Sequence, residues 1–224
     1  MDKRSYRTTS YLDIMTNNYV NFPNIGFYKN KLSNDNLKFL HDEINYMLDK
    51  LPQKSKFNNL LAGNIEKEFK LEKSIIPLQE MLLPHIAEYN TCSSILSNFN
   101  IMSKDLPLYL DTAWVNFQRK HEFNPSHNHE GVVSFVLWIK IPYSKNKENT
   151  ISPGKMSNSN CSGEFEFQYT NVLGQICHYR IPCDQSMENT ILIFPSKLMH
   201  SVYPFYSTDD YRISVSGNFK LLVE

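Results

Sequence analysis

Between Asn34 and Leu51 the apolar positions Leu37, Leu40, Ile44, Met47, Leu48 and Leu51 recur at helical spacing. The pattern predicts an amphipathic helix capped by Asn34-Asp35, its apolar stripe packed on a core. A second helical stretch is read from near Asn64 to about Ser74. Pro77 breaks or restarts it, since proline has no amide proton to give a helix interior. Leu78, Leu82, Ile86 and Tyr89 then continue on one face, with a kink or boundary at Pro84.

From Leu108 the texture changes. Short β-rich runs at Leu108–Lys120, Val132–Ile141, Gly163–Tyr169, Gln175–Ile181, Thr190–Phe194, Met199–Tyr203 and Tyr211–Leu222 alternate with polar, turn-forming segments. Strands at this density predict an all-β sandwich or barrel. Ser144–Ser162, rich in Ser, Asn and Lys, reads as a mobile surface loop. The expectation is a mainly β fold with a helical N-terminal layer, a single domain over residues 1–224. Residues 1–105 form a mainly helical support segment, and residues 106–224 form the β core that carries the site.

Composition narrows the function classes. With 41% hydrophobic and 13% aromatic residues in 224, the chain can bury a core without staples and is not a disordered one. Lys+Arg and Asp+Glu both number 23, so no global basic field exists to gather phosphates, which disfavours non-specific nucleic-acid binding. Met1-Asp2-Lys3-Arg4-Ser5 leads into no apolar segment, and no run approaches the roughly 18 apolar residues of a membrane span. A soluble cytoplasmic protein without a membrane partner is the expectation. Cys92, Cys161, Cys177 and Cys183 lack C-x-x-C spacing, which favours free thiols over a disulfide framework or a cysteine-held zinc.

Two clusters carry candidate chemistry. In Asn124-Pro125-Ser126-His127-Asn128-His129-Glu130-Gly131, residues two apart in an extended segment point the same way, so His127 and His129 can address one divalent metal. The buried strand read from Val132 to Ile139 would hold the pair rigidly, and Glu122 and Glu130 are nearby carboxylates that could ligate or support it. Alone, two loop histidines are more often surface residues. The second cluster places His200 in the otherwise apolar run Phe194–Pro204, where a core histidine bonded to backbone is the plain alternative.

The last strand adds a different chemistry. Alternation puts Tyr211, Ile213 and Val215 on one face and Arg212, Ser214, Ser216 and Asn218 on the other. If the polar face looks to solvent, this is an ordinary half-exposed strand. If it looks inward, Arg212 is a buried cation that needs an anionic partner, and Arg-x-Ser predicts a small carboxylate ligand.

The order His127-x-His129, then His200, then Arg212-x-Ser214 resembles the 2-oxoglutarate/iron(II) oxygenases. Trp114-Val115-Asn116-Phe117, His127-Asn128-His129 with Ser134-Phe135-Val136, and Phe194-Pro195 through His200 to Asn218 look like a subfamily found in bacteria and phages. The resemblance covers about Leu108 to Leu222 and implies a double-stranded β-helix (jelly-roll, cupin-like) barrel. It implies a dioxygenase of the hydroxylase type that uses Fe(II), 2-oxoglutarate and O2, with ascorbate as an optional reductant. It also implies that His127, His129 and His200 hold the iron, and that Arg212 and Ser214 bind the cosubstrate, with Asn116 and Asn218 beside it. Gln118 and Trp138 are further pocket candidates, Trp114 and Trp138 being read first as core residues. One position departs from the wider pattern: His129 stands where an aspartate or glutamate is usual. Three readings follow, that His129 itself ligates, that Glu130 swings in, or that the position is open, and the first is favoured. The substrate is unread, a protein side chain or small molecule being preferred to nucleic acid. A cupin-like metal protein without 2-oxoglutarate and a non-catalytic jelly-roll binding protein are the competing readings.

Overall fold

The computed structural model describes residues 24–99, 101 and 107–222. The reading of Met1–Ser5, and part of the helical support segment, fall outside those residues. Ten strands form two antiparallel sheets: a six-stranded sheet in the order β1-β8-β5-β10-β3-β2 and a four-stranded sheet in the order β4-β9-β6-β7. The strands are β1 (Tyr28–Lys31), β2 (Lys67–Lys70), β3 (Leu108–Gln118), β4 (Asn124–His127) and β5 (Val133–Lys140). They continue with β6 (Phe165–Thr170), β7 (Ile176–Ile181), β8 (Thr190–Pro195), β9 (Met199–Val202) and β10 (Arg212–Leu221). Among the described residues no ladder joins the two sheets, so they face each other as a jelly-roll sandwich rather than as a barrel closed by hydrogen bonds.

Alternation along the central strands builds two cores at once. Val133, Phe135, Leu137 and Ile139 of β5, Ile191 and Ile193 of β8, and Val215 and Phe219 of β10 face the helices. Val136, Trp138, Leu192 and Phe194 face the smaller sheet and meet Phe165 and Phe167. The polar face of β10 therefore looks inward, and Arg212 is only 2% exposed. Solvent does not take it up.

The helical layer is α1 (Lys38–Lys50), α2 (Ile75–Ser93) and the short α3 (Ile95–Asn98); a further helix, α4 (Lys145–Ile151), follows β5. Leu40, Ile44 and Met47 of α1 and Leu78, Leu82, Ile86 and Tyr89 of α2 enter the helix-side core, as their spacing predicts. Glu43 of α1 accepts hydrogen bonds from the amides of Glu72, Lys73 and Ser74 at 2.9, 3.0 and 2.8 Å. It thereby satisfies orphan donors at the start of α2 and fastens the two helices together. Pro77 lies in the first turn of α2, where its missing amide proton is not needed, and the helix runs through Pro84 without ending.

Two local readings are corrected, and one strand carries an irregularity. Lys67–Lys70 is not helical: it is the edge strand β2, paired with Trp114–Phe117 of β3. The edge register replaces the intrahelical bonds a short charged segment could not sustain alone. Ser144–Ser162 is not a plain loop, because Ser144 caps α4 through the Lys147 amide and buried Glu148 takes the amides of Tyr206 and Ser207 at 2.8 Å each. Asp111 is an extra residue in β3, since the register steps from Asn218↔Thr112 to Phe219↔Leu110. That bulge turns Asp111 toward Lys220, which it meets at 3.0 Å.

Candidate metal centre

β4 and β9 pair so that His127 lies opposite His200. His129 follows two residues on, where its amide donates to Ser196 O at 2.8 Å and Val132 N to Phe219 O at 2.9 Å. Gly131 makes this return possible. Its φ is +103°, and a β-carbon there would sit 2.6 Å from Phe219 O. The three side chains offer ligand atoms that all lie within 4.8 Å of one another.

Each imidazole is oriented by a bond from its other nitrogen. His127 Nδ1 meets Pro125 O at 2.7 Å, His200 Nδ1 meets Leu198 O at 2.9 Å, and His129 Nδ1 meets Asn218 Oδ1 at 2.9 Å. A carbonyl or amide oxygen only accepts, so each Nδ1 carries the proton and each Nε2 keeps its lone pair. Asn218 Oδ1 also accepts from Ser134 Oγ at 2.8 Å. Phe165 stacks on His200 at 5.5 Å, Phe194 packs its edge at 5.0 Å, and Trp114 meets His129 at 5.5 Å.

Burial keeps the three imidazoles neutral. It lowers the pKa of His127, pushes His129 down to about 4 with help from neighbouring His127, and holds His200 well below the ordinary range. Three converging neutral imidazoles with fixed tautomers are a donor set that suits a divalent transition metal. Glu130 is exposed at the rim and does not join the cluster. Glu122 is spent on the amides of Arg119 and Glu66 at 2.6 and 3.0 Å.

A narrow cavity of about 30 Å³, room for one or two waters, runs inward from the histidines to Arg212. Asn116, Gln118, Trp138, Ser214 and Ser216 line it. The anionic partner expected for Arg212 is absent among the described residues. Its five N–H donors instead go to neutral oxygens. Gln118 Oε1 takes two at 3.0 and 2.6 Å, Tyr143 Oη one at 2.6 Å, and Gly163 O and Tyr203 O one each at 3.0 Å. Tyr143 and Phe205 lie beneath the guanidinium, 5.9 and 5.6 Å from ring centre to Cζ. Ser214 Oγ accepts from Asn116 Nδ2 at 3.2 Å. Asn218 lies away from this end and serves His129 instead.

Some residues of the site carry no sequence signal. Tyr143 follows a strand end without any motif, and Glu68 sits on the edge strand misread as helix. Glu68 is 1% exposed and shares its face of the sheet with Asn116 across the β2–β3 register. Burial, reinforced by Glu122, raises its pKa to about 8. It borders a second, outer groove of about 350 Å³ that meets the histidines from the other side.

Comparison with known proteins agrees with this arrangement. Residues 112–218 match the family model described as "Putative 2OG-Fe(II) oxygenase". No curated protein sequence matches the chain. Among solved structures, a prolyl-4-hydroxylase from Pseudomonas putida is 13% identical, with 88% of this chain and 92% of that one covered at a TM-score of 0.50. AviO1 from Streptomyces viridochromogenes Tue57 is 8% identical, with 87% and 89% covered and a TM-score of 0.51. At such identities the likeness establishes the jelly-roll fold alone. Through residues 112–218, which span the triad and Arg212, the chain is similar to the 2OG-Fe(II) oxygenases.

Proposed function

We propose that this protein is an Fe(II)- and 2-oxoglutarate-dependent hydroxylase in which His127, His129 and His200 hold the metal through Nε2. The observation that carries the reading is Arg212: a buried guanidinium with no carboxylate partner among the described residues, in one cavity with three converging imidazoles. A carboxylate is a stronger acceptor than an amide oxygen, so a dicarboxylic cosubstrate supplies the charge that Gln118 Oε1 only imitates. The cavity is narrow, and a five-carbon diacid would take the place of Gln118 in the fork of Arg212. Ser214, which accepts from Asn116, keeps its own proton to donate into the same space.

When bound, iron and 2-oxoglutarate supply the oxidising power, with one oxygen atom of O2 ending in succinate beside CO2 and the other in the substrate hydroxyl. The protein's part is positional. Pro125 O, Leu198 O and Asn218 Oδ1 set the imidazole tautomers, and Phe165, Phe194, Val136 and Trp138 keep the inner cavity dry. With His129 in place of a carboxylate, the ligand set carries no negative charge, so the metal keeps its full positive charge toward the cosubstrate.

An anaerobic titration of the Fe(II)-loaded protein with 2-oxoglutarate tests this, read by the visible charge-transfer absorption of an α-keto acid chelate. Wild type saturates, His200→Ala gives no band, and Arg212→Gln needs at least about tenfold more 2-oxoglutarate. Pyruvate, which lacks the distal carboxylate, should bind wild type and Arg212→Gln alike. Equal 2-oxoglutarate affinity in both proteins refutes the role of Arg212. Stoichiometric metal with no band at all returns the cupin-like reading.

A further inference from the structure

The outer groove contains polar oxygens that neither the metal nor 2-oxoglutarate explains. Asn124 Oδ1 is buried without a partner, and so is Asn116 Oδ1, just inside. Glu68 receives one bond, from Asn58 Nδ2 to Oε2 at 3.3 Å, and its Oε1 receives none. Gly63 marks where these groups converge. A β-carbon there would lie 2.9 Å from Glu68 Oε1 and closer still to Asn124 Oδ1, so the missing side chain is what lets both oxygens crowd together against the Gly63 backbone.

Buried acceptors without donors are costly, and each calls for a partner. 2-Oxoglutarate cannot be that partner, because its carboxylates and keto group only accept. Protonated Glu68 carries one O–H, enough for at most one of these acceptors, so the remaining donors come from another molecule. The charge around the groove tells which kind: Asp111 and Glu130 border it, with Glu68 a further carboxyl able to ionise, against one cation among the described lining residues, Lys220, which Asp111 already pairs at 3.0 Å. Phe57 and Trp114, whose ring centres are 6.0 Å apart, form an aromatic wall beside it. Acceptors, net negative charge and aromatic faces together select a cation. A groove of about 350 Å³ takes a side-chain-sized group.

We infer that the Glu68–Asn124 pair over Gly63 is a substrate-recognition subsite for a cationic nitrogen group, an ammonium or guanidinium, held in the groove that opens onto His127 and His129. This rests on the groove being the substrate side of the proposed oxygenase. Glu68 is the specificity-determining residue and Asn124 its partner. Raised to about 8 in the free protein, Glu68 gives up its proton when the cation arrives.

The test uses the full chain without added iron, so its outcome does not depend on turnover. Amide chemical shifts are followed on titration with n-butylguanidinium, n-butylammonium and neutral pentanamide. At least one cation should bind about ten- to hundredfold tighter than pentanamide, shifting amides of Ala62–Gly63 and Asn124–Glu130. Glu68→Gln, an uncharged isostere of the protonated acid, should remove that preference while keeping the native spectrum. Gly63→Ala, which pushes the two oxygens apart without changing charge, should weaken cation binding at least tenfold. Equal binding of pentanamide and both cations, cation binding unchanged in Glu68→Gln, or no binding of any probe overturns the inference. The anaerobic 2-oxoglutarate titration stands apart from these results. A charge-transfer band without a cation preference removes the subsite and leaves the oxygenase, whereas the preference without the band does the reverse.

Discussion

Replacing Asn218 by alanine tests how the proposed metal site is completed. Asn218 Oδ1 accepts from His129 Nδ1 at 2.9 Å, and no other amide or carboxylate oxygen does so. The nearest substitute is Ser134 Oγ, 3.2 Å from the same nitrogen, which now spends its proton on Asn218 or on Ser196 Oγ at 2.8 Å. In Asn218→Ala that hydroxyl can accept from His129, so a weaker orienting bond survives. Losing one net hydrogen bond costs about 0.5–1.5 kcal/mol, or roughly tenfold in metal affinity. Removing the substitute too, in Asn218→Ala/Ser134→Ala, frees the ring and its tautomer and should bring the loss to about a hundredfold. Anaerobic competition for Fe(II) against a fluorescent chelator measures both, and Glu130→Ala serves as the control with unchanged affinity. Unchanged affinity in the double variant, or a larger loss in Glu130→Ala, would show that His129 is not a ligand.

Other outcomes follow from groups outside the triad. Glu68 has its folded-state pKa raised from 4.5 to about 8, so it stabilises the fold least where it must ionise. Stability should fall as pH rises through the window from 4.5 to about 8, by at most roughly 5 kcal/mol, and Glu68→Gln should flatten that slope in denaturant unfolding at pH 6 and 9. Glu43→Ala strands the amides of Glu72, Lys73 and Ser74 at the start of α2 and should lower stability by about 2–4 kcal/mol, read as a drop in Tm. Tyr143→Phe removes the hydroxyl that accepts from Arg212 and donates to Gly163 O, and should cost about 1–3 kcal/mol in urea unfolding.

The fold's core was legible because its central strands follow the rule of two. Val133 to Ile139 and Arg212 to Phe219 sort to opposite faces as alternation requires, and the inward turn of Arg212, Ser214 and Ser216 follows from which face meets the helices. The triad was legible because two of its members sit two apart and the third lies in a strand paired with the first. Lys67–Lys70 was not, since four residues on a sheet edge owe their conformation to β3 rather than to any period of their own. The ordering of Ser144–Ser162 was hidden for a similar reason. Glu148 is one polar residue among many in the sequence, and only the fold brings it under the amides of Tyr206 and Ser207. The surroundings of Arg212 come from Gln118, Tyr143, Gly163 and Tyr203, four separated places whose meeting is a property of the two-sheet sandwich. A motif could name the arginine but not the neutral oxygens that hold it.

No helix among the described residues is long and apolar enough to cross a membrane, and the central claim has a direct assay. That assay is succinate formation from 2-oxoglutarate with Fe(II) and O2, in wild type and in His200→Ala. The account predicts iron-dependent succinate in wild type, even at the slow rate expected without the natural substrate, and none in the variant. Succinate produced equally by His200→Ala, or none from a wild type that retains stoichiometric iron, would contradict it.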